Sequence, residues 1–181
     1  MNKIVTIIII IIIFGAGFWF INKPSSGSEK NDSSKTETVK TFVKMKPFTL
    51  LDYDGNEISS DNFKGKALVV NSWAAWCPFC VKELSDFVEL QKKYGDNVVV
   101  IAIDRAESLE KAKRFTDSLG VSDGIVFLLD TKDSFYKSIG GFSMPETIFV
   151  DTDGNILVHK RGPMELSEMS DNVEKIIGKT I

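Results

Sequence analysis

Both cysteines of the chain fall inside one short stretch, "NSWAAWCPFCVKEL", Asn71 to Leu84. What surrounds them constrains the fold more than any other feature. Before them runs "KALVVNSW", a short β-branched apolar segment that reads as a buried strand. After them, Leu84, Phe87, Val88, Leu90 and Gln91 recur at helical spacing until Gly95 stops the pattern. Pro78 follows Cys77 and suits a first helical position. A buried strand that feeds directly into a helix calls for a sheet with helices packed on it.

The rest of the chain repeats that alternation. "NVVVIAID" and "GIVFLLD" are two further buried strands. "SLEKAKRFTDSLG" is an amphipathic helix, with Ser108 as its cap and Gly120 as its stop. "SFYKSIGG" is a short helix, and "ETIFVDTDGNILVHKRG" is a hairpin turned at Asp153-Gly154. "ELSEMSDNVEKIIG" closes the chain as a helix with Leu166, Met169, Val173, Ile176 and Ile177 on one face. An earlier hairpin, "PFTLLDYDGNEISSDNF", turns at Asp54-Gly55. The expected class is α/β with a central mixed sheet flanked by helices, because the last two strands form a hairpin.

The first residues do not belong to this domain. Ile4 to Ile21, "IVTIIIIIIIFGAGFWFI", carries no charge and as a helix would span roughly 27 Å, close to a bilayer's hydrocarbon thickness. Phe18, Trp19 and Phe20 suit the interface. A cleaved signal peptide would have a shorter apolar region and a small-residue cleavage site, and bulky aromatics follow Gly15-Ala16-Gly17. The expected organisation is a cytoplasmic tip at 1–3, a transmembrane anchor at 4–21, a Ser- and Lys-rich flexible linker at 22–41, and a globular domain at 42–181. The net charge of −3 offers no basic field for nucleic acid.

A Cys-x-x-Cys pair has three physical readings. As a structural disulfide it closes a very short loop and removes little unfolded-state entropy. As half of a zinc site it lacks ligands, since tetrahedral zinc takes four and the chain adds only His159. As a redox dithiol it is well placed. The strand-to-helix junction puts Cys77 where unpaired N–H groups and the helix dipole stabilise a thiolate. Cys80 lies one turn further in, within disulfide reach. On this reading Cys77 attacks, Cys80 resolves, and the only cofactor is the Cys77–Cys80 disulfide itself.

"NSWAAWCPFC", with Trp73 and Trp76 before Cys77, resembles the thioredoxin active-site signature. "SMPETIFVDTDGNI" resembles the second thioredoxin landmark, a cis-proline matched here by Pro145 and preceded by Met144. The resemblance runs from about Phe42 to Ile177. With the anchor, linker and starting hairpin it points to the TlpA/ResA-like branch of the thioredoxin-like superfamily, whose members are extracytoplasmic thiol–disulfide oxidoreductases and include cytochrome c maturation reductants. Thioredoxin carries a buried aspartate six positions before its first cysteine, whereas this chain has Asn71. Glu83, three residues after Cys80, matches a proton-handling glutamate of that branch; the alternative is a solvated helix carboxylate. The resemblance implies partner contacts at Trp76, Pro78, Phe79, Met144 and Pro145. Trp73 is expected to be buried, and His159 structural or solvated.

The implied activity is exchange of disulfides with protein partners at the outer membrane surface, in the reducing direction, fed by an electron-carrying membrane thiol protein. A dithiol oxidase is the opposite direction of the same chemistry. A peroxiredoxin-like peroxidase would need a hydroxyl residue three positions before its attacking cysteine, where Ala74 stands. A tethered binding module with an inert disulfide is the non-enzymatic alternative.

Overall fold

The computed structural model describes residues 42–178. The tip, anchor and linker assigned to 1–41 lie outside the described residues. Among those described, no helix is long and apolar enough to cross a membrane.

Strands β1 (Val43–Lys44), β2 (Thr49–Asp52), β3 (Glu57–Ser59), β4 (Ala67–Trp73), β5 (Val98–Arg105), β6 (Val126–Asp130), β7 (Glu146–Val150) and β8 (Asn155–Arg161) form one sheet in the order β1-β8-β7-β4-β5-β6-β2-β3. The helices are α1 (Pro78–Tyr94), α2 (Leu109–Leu119), α3 (Ser134–Ser138) and α4 (Leu166–Ile177). β4, β5 and β6 run parallel, which the crossovers through α1 and α2 require. β7 returns antiparallel against β4 and pairs β8 across the Asp153-Gly154 hairpin. The sheet is therefore mixed, as the sequence leads one to expect.

The two faces separate by strand alternation. Ala67, Val69, Val98, Val100 and Phe149 meet Phe87 and Leu90 of α1 and Met169, Val173 and Ile176 of α4. Trp73, Ala102, Phe127 and Leu129 continue that face under Leu84 of α1 and Ala112 of α2. Leu68, Val70, Ile101, Ile103, Leu128, Ile148 and Val150 point the other way, onto Phe135 of α3 and Phe48. β4 is buried on both faces, so its sequence is almost continuously apolar.

Ser108 and Gly120 bound α2 as anticipated. The Ser108 side chain accepts from the Lys111 N–H, and Gly120 takes the left-handed conformation, φ 68°, that ends the helix. The expected N-terminal hairpin forms as β2 and β3, and β2 also pairs antiparallel with β6, so the hairpin completes one edge of the sheet. The two-residue β1 closes the opposite edge on β8, a pairing too short to leave a sequence pattern.

Candidate active site

The site forms where β4 ends. Trp73 is its last residue and is fully buried, stacked on Phe115 at 5.7 Å and edge-on to Phe127 at 6.2 Å. The chain then turns, with the Cys77 N–H donating to the Ala74 carbonyl at 3.0 Å. Cys77 is the cap residue of α1, in extended conformation, and Pro78 begins the helix. No side chain satisfies the cap, so the first N–H groups of α1 face the Cys77 sulfur's end of the helix. Cys77 and Cys80 are joined as a disulfide with a Cα–Cα distance of 5.4 Å.

Both sulfur-bearing residues are buried, at 2% and 1% exposure, in the cluster of Trp73, Leu84, Val88 and Ala102. The rim above them is open. Trp76 is 57% and Phe79 63% exposed, and Pro78 is also exposed. A groove of about 410 Å³ runs from Trp76 along Arg105, Ala106, Glu107, Ser108 and Lys111. The Met144-Pro145 bond is cis. Met144 packs against the dithiol cluster, and the buried Pro145 gives its carbonyl to the Gly162 N–H at 2.9 Å. The fold thus brings together Trp76, the dithiol turn and Met144, residues far apart in sequence.

Glu83 is not a solvated carboxylate. It is 2% exposed, and its Oε1 accepts the Met164 N–H at 2.8 Å while Oε2 has no partner. Burial pushes its pKa up to about 7; the Met164 N–H opposes this and the Asp86 charge adds to it. As the third residue after Cys80 on one helix, it is a neighbour of that cysteine on the helix surface. Asn71 is buried and donates to Thr147 Oγ1 at 3.0 Å.

Three carboxylates at this end escaped the sequence reading. Glu146 opens β7 directly after Pro145 and is completely buried. Its Oε2 accepts the N–H groups of Phe142 at 2.9 Å and Ser143 at 3.0 Å, and its Oε1 accepts from His159 at 2.6 Å and Arg161 at 3.2 Å. It ties the loop before Pro145 to β8, and His159 is structural in that tie. Asp104 ends the apolar run of β5, and Glu107 follows it by three. Glu107 Oε2 accepts the Ala75 N–H at 2.6 Å, and Lys111 pairs with Oε1. The available signal was a lone acid at the end of a buried strand, at Asp104 and again at Glu146.

A dithiol at a helix N-terminus, beside a proline loop on a thioredoxin-like sheet, defines a thiol–disulfide oxidoreductase. The family model described as Redoxin matches residues 38–177, and the chain belongs to that family. It is 27% identical over 144 residues to the thiol-disulfide oxidoreductase ResA of Bacillus cereus, covering 79% of this chain and 82% of that protein. It is 26% identical over 182 residues to the thiol:disulfide interchange protein DsbE of Vibrio cholerae, covering 99% and 96%. Among solved structures, a thiol:disulfide interchange protein of the thioredoxin family from Chlorobium tepidum superposes with a TM-score of 0.68 at 26% identity, covering 76% of this chain and 98% of that one. The enzyme acts on protein thiols or disulfides.

Proposed function

We propose that the chain is a membrane-anchored, extracytoplasmic reductant of protein disulfides, with Cys77 as the attacking thiol and Cys80 as the resolving one. The Cys77 thiolate attacks one sulfur of the partner's disulfide and forms a mixed disulfide, and the released partner thiolate takes a proton. Cys80 then loses its proton and attacks the Cys77 sulfur. The Cys77–Cys80 disulfide forms, the second partner sulfur leaves and is protonated, and two electrons have passed to the partner. A membrane thiol protein returns them. An apocytochrome c is a fitting substrate class, in keeping with the resemblance to the TlpA/ResA-like branch. The partner pairs as an extended segment with the Met144 backbone, while Trp76, Pro78 and Phe79 contact its side chains.

The observation that carries the reducing direction is Glu83. A carboxyl that titrates near neutral pH one turn beyond Cys80 can take the proton Cys80 gives up. Once ionised, it opposes a deeply stabilised Cys77 thiolate. An oxidant works the other way, since its reduced form is the stabilised one. The localisation rests on the uncharged segment 4–21 and on the need for a compartment where disulfides persist.

The test pairs two measurements on reduced protein. A reductant gives a Cys77 pKa of about 7 or more with a potential near or below roughly −230 mV. A pKa below about 5 with a potential near −120 mV would make it an oxidase. Iodoacetamide labels Cys77 faster than Cys80 if the assignment of roles is right. Protease added outside the membrane releases a fragment containing Cys77 if the orientation is right.

A further inference from the structure

A second acid lies under the active-site loop. Asp104 pairs in register with Trp73 on β4, and with Leu129 on β6. Trp73 and Leu129 both belong to the cluster that encloses the dithiol, so strand alternation points Asp104 into the same layer. Its exposure is 0%, and neither carboxyl oxygen makes a hydrogen bond of ordinary length; the Glu107 backbone N–H turns toward it at longer range and only partly offsets the burial. A bare carboxylate there would cost several kcal/mol. Its neighbour across the Ala106 turn, φ 58°, is the buried Glu107 carboxyl, within side-chain hydrogen-bond reach. Two carboxyl groups can share a hydrogen bond only if one of them holds a proton.

The surroundings decide which one. Lys111 and the Ala75 N–H both bind Glu107. Burial works against that carboxylate, but Lys111 and the Ala75 N–H outweigh it and hold its pKa below the usual range. Burial, followed by the hydrogen bond and charge of Glu107, pushes Asp104 upward. Tyr53, from the β2–β3 turn, faces both carboxyl groups, and the Cys77–Cys80 pair adds two titratable thiols to the same cluster when it is reduced. Tyr53 is itself pushed upward by burial and stays neutral.

We propose that Asp104 is a positioning residue for the dithiol reaction: as the proton-bearing half of an acid pair, it donates to Glu107 and so steadies the carboxylate that holds the Ala75 N–H. The Ala75 N–H lies two residues before Cys77, in the loop that also carries Trp76. While the pair keeps its proton, the loop is tied down through Glu107. When Asp104 ionises, two carboxylates face each other in a dry site, and the tie on Ala75 loosens. Asp104 can act on turnover in this way only if Cys77 is the attacking thiol, as proposed above.

The test is the pH profile of insulin reduction and of Cys77 alkylation in the full-length protein. Wild type should show an inflection above neutral pH in addition to that of the thiol itself. Asp104→Asn keeps a donor toward Glu107 but cannot titrate, so the extra inflection should vanish. Asp104→Leu removes the donor and should lower the alkylation rate about three- to tenfold at every pH, the scale of one weakened hydrogen bond to a charged group. A Asp104→Asn profile that superimposes on wild type would overturn the proposal, even if Asp104→Leu does not fold. Cys77→Ser is the separate control. Turnover that survives it sinks the assignment of the attacking thiol, whereas turnover that needs Cys77 but ignores Asp104→Asn sinks the role of Asp104 alone.

Discussion

Glu83 on α1, three residues after Cys80, and Glu146 on β7, directly after Pro145, are both buried glutamates, at 2% and 0% exposure. Their surroundings differ completely. Glu83 has one backbone donor and a bare oxygen, and its proton affinity rises to about pH 7. Glu146 has four donors spread over two segments of chain. Burial alone does not set what a carboxylate does. Where donors are scarce the group holds its proton more tightly; where donors are plentiful it is an anchor that fixes the loop before Pro145.

The largest test of that contrast is Glu146→Leu. It leaves Arg161, His159 and two amides without their acceptor, and the expected loss is about 3–5 kcal/mol, read from the denaturation midpoint. A loss under about 1 kcal/mol would show that water or other groups take over, and Glu146 would be no anchor.

Glu83→Gln should act through pH instead. The protonated acid is favoured in the fold, because the folded pKa, about 7, lies above the ordinary 4.5. Its contribution is therefore full below pH 4.5 and fades as pH rises to 7. Wild type should lose up to about 3 kcal/mol across that window, and Glu83→Gln should not. Parallel stability curves for the two proteins would mean that Glu83 stores no proton.

A smaller effect links Glu83 to the thiol. Removing its charge should move the Cys77 pKa downward, giving up to about a tenfold larger thiolate fraction near neutral pH by thiolate absorbance. An unchanged titration would confine Glu83 to a structural role. The least effect on stability belongs to the rim. Trp76→Ala and Phe79→Ala should shift stability by no more than about 0.5 kcal/mol, yet raise KM for a protein disulfide several-fold. Equal KM values would remove both rings from the partner surface.

Much of this was legible in the sequence because the signals are local. Short continuous apolar runs and helical spacing delimit β4, β5, α1 and α2, and Ser108, Gly120 and Asp153-Gly154 mark caps and a turn. The dithiol with its flanking Trp73 and Trp76 is contiguous, and the proline loop at Met144-Pro145 was recognisable by its own short pattern. The strand partners of β1 and β2 were not legible, since which edge a short strand joins depends on distant residues. Asp104, Glu107 and Glu146 were missed for a related reason: nothing in an acidic letter says how many donors will surround it.

By itself the sequence determined the class of fold and the position of the redox pair at a helix start, which follow from the spacing of apolar residues and from chemistry within a few positions; the contrast between a buried Trp73 and a Trp76 at the rim came from the resemblance of the active-site signature. Only the tertiary structure decided that Glu83 is buried with a bare oxygen, that Glu146 gathers four donors, and that Asp104 and Glu107 face each other beneath Ala75. The charge state and task of a carboxyl depend on solvent exclusion and on donors brought from other strands and helices, and the chain acquires those only when it packs.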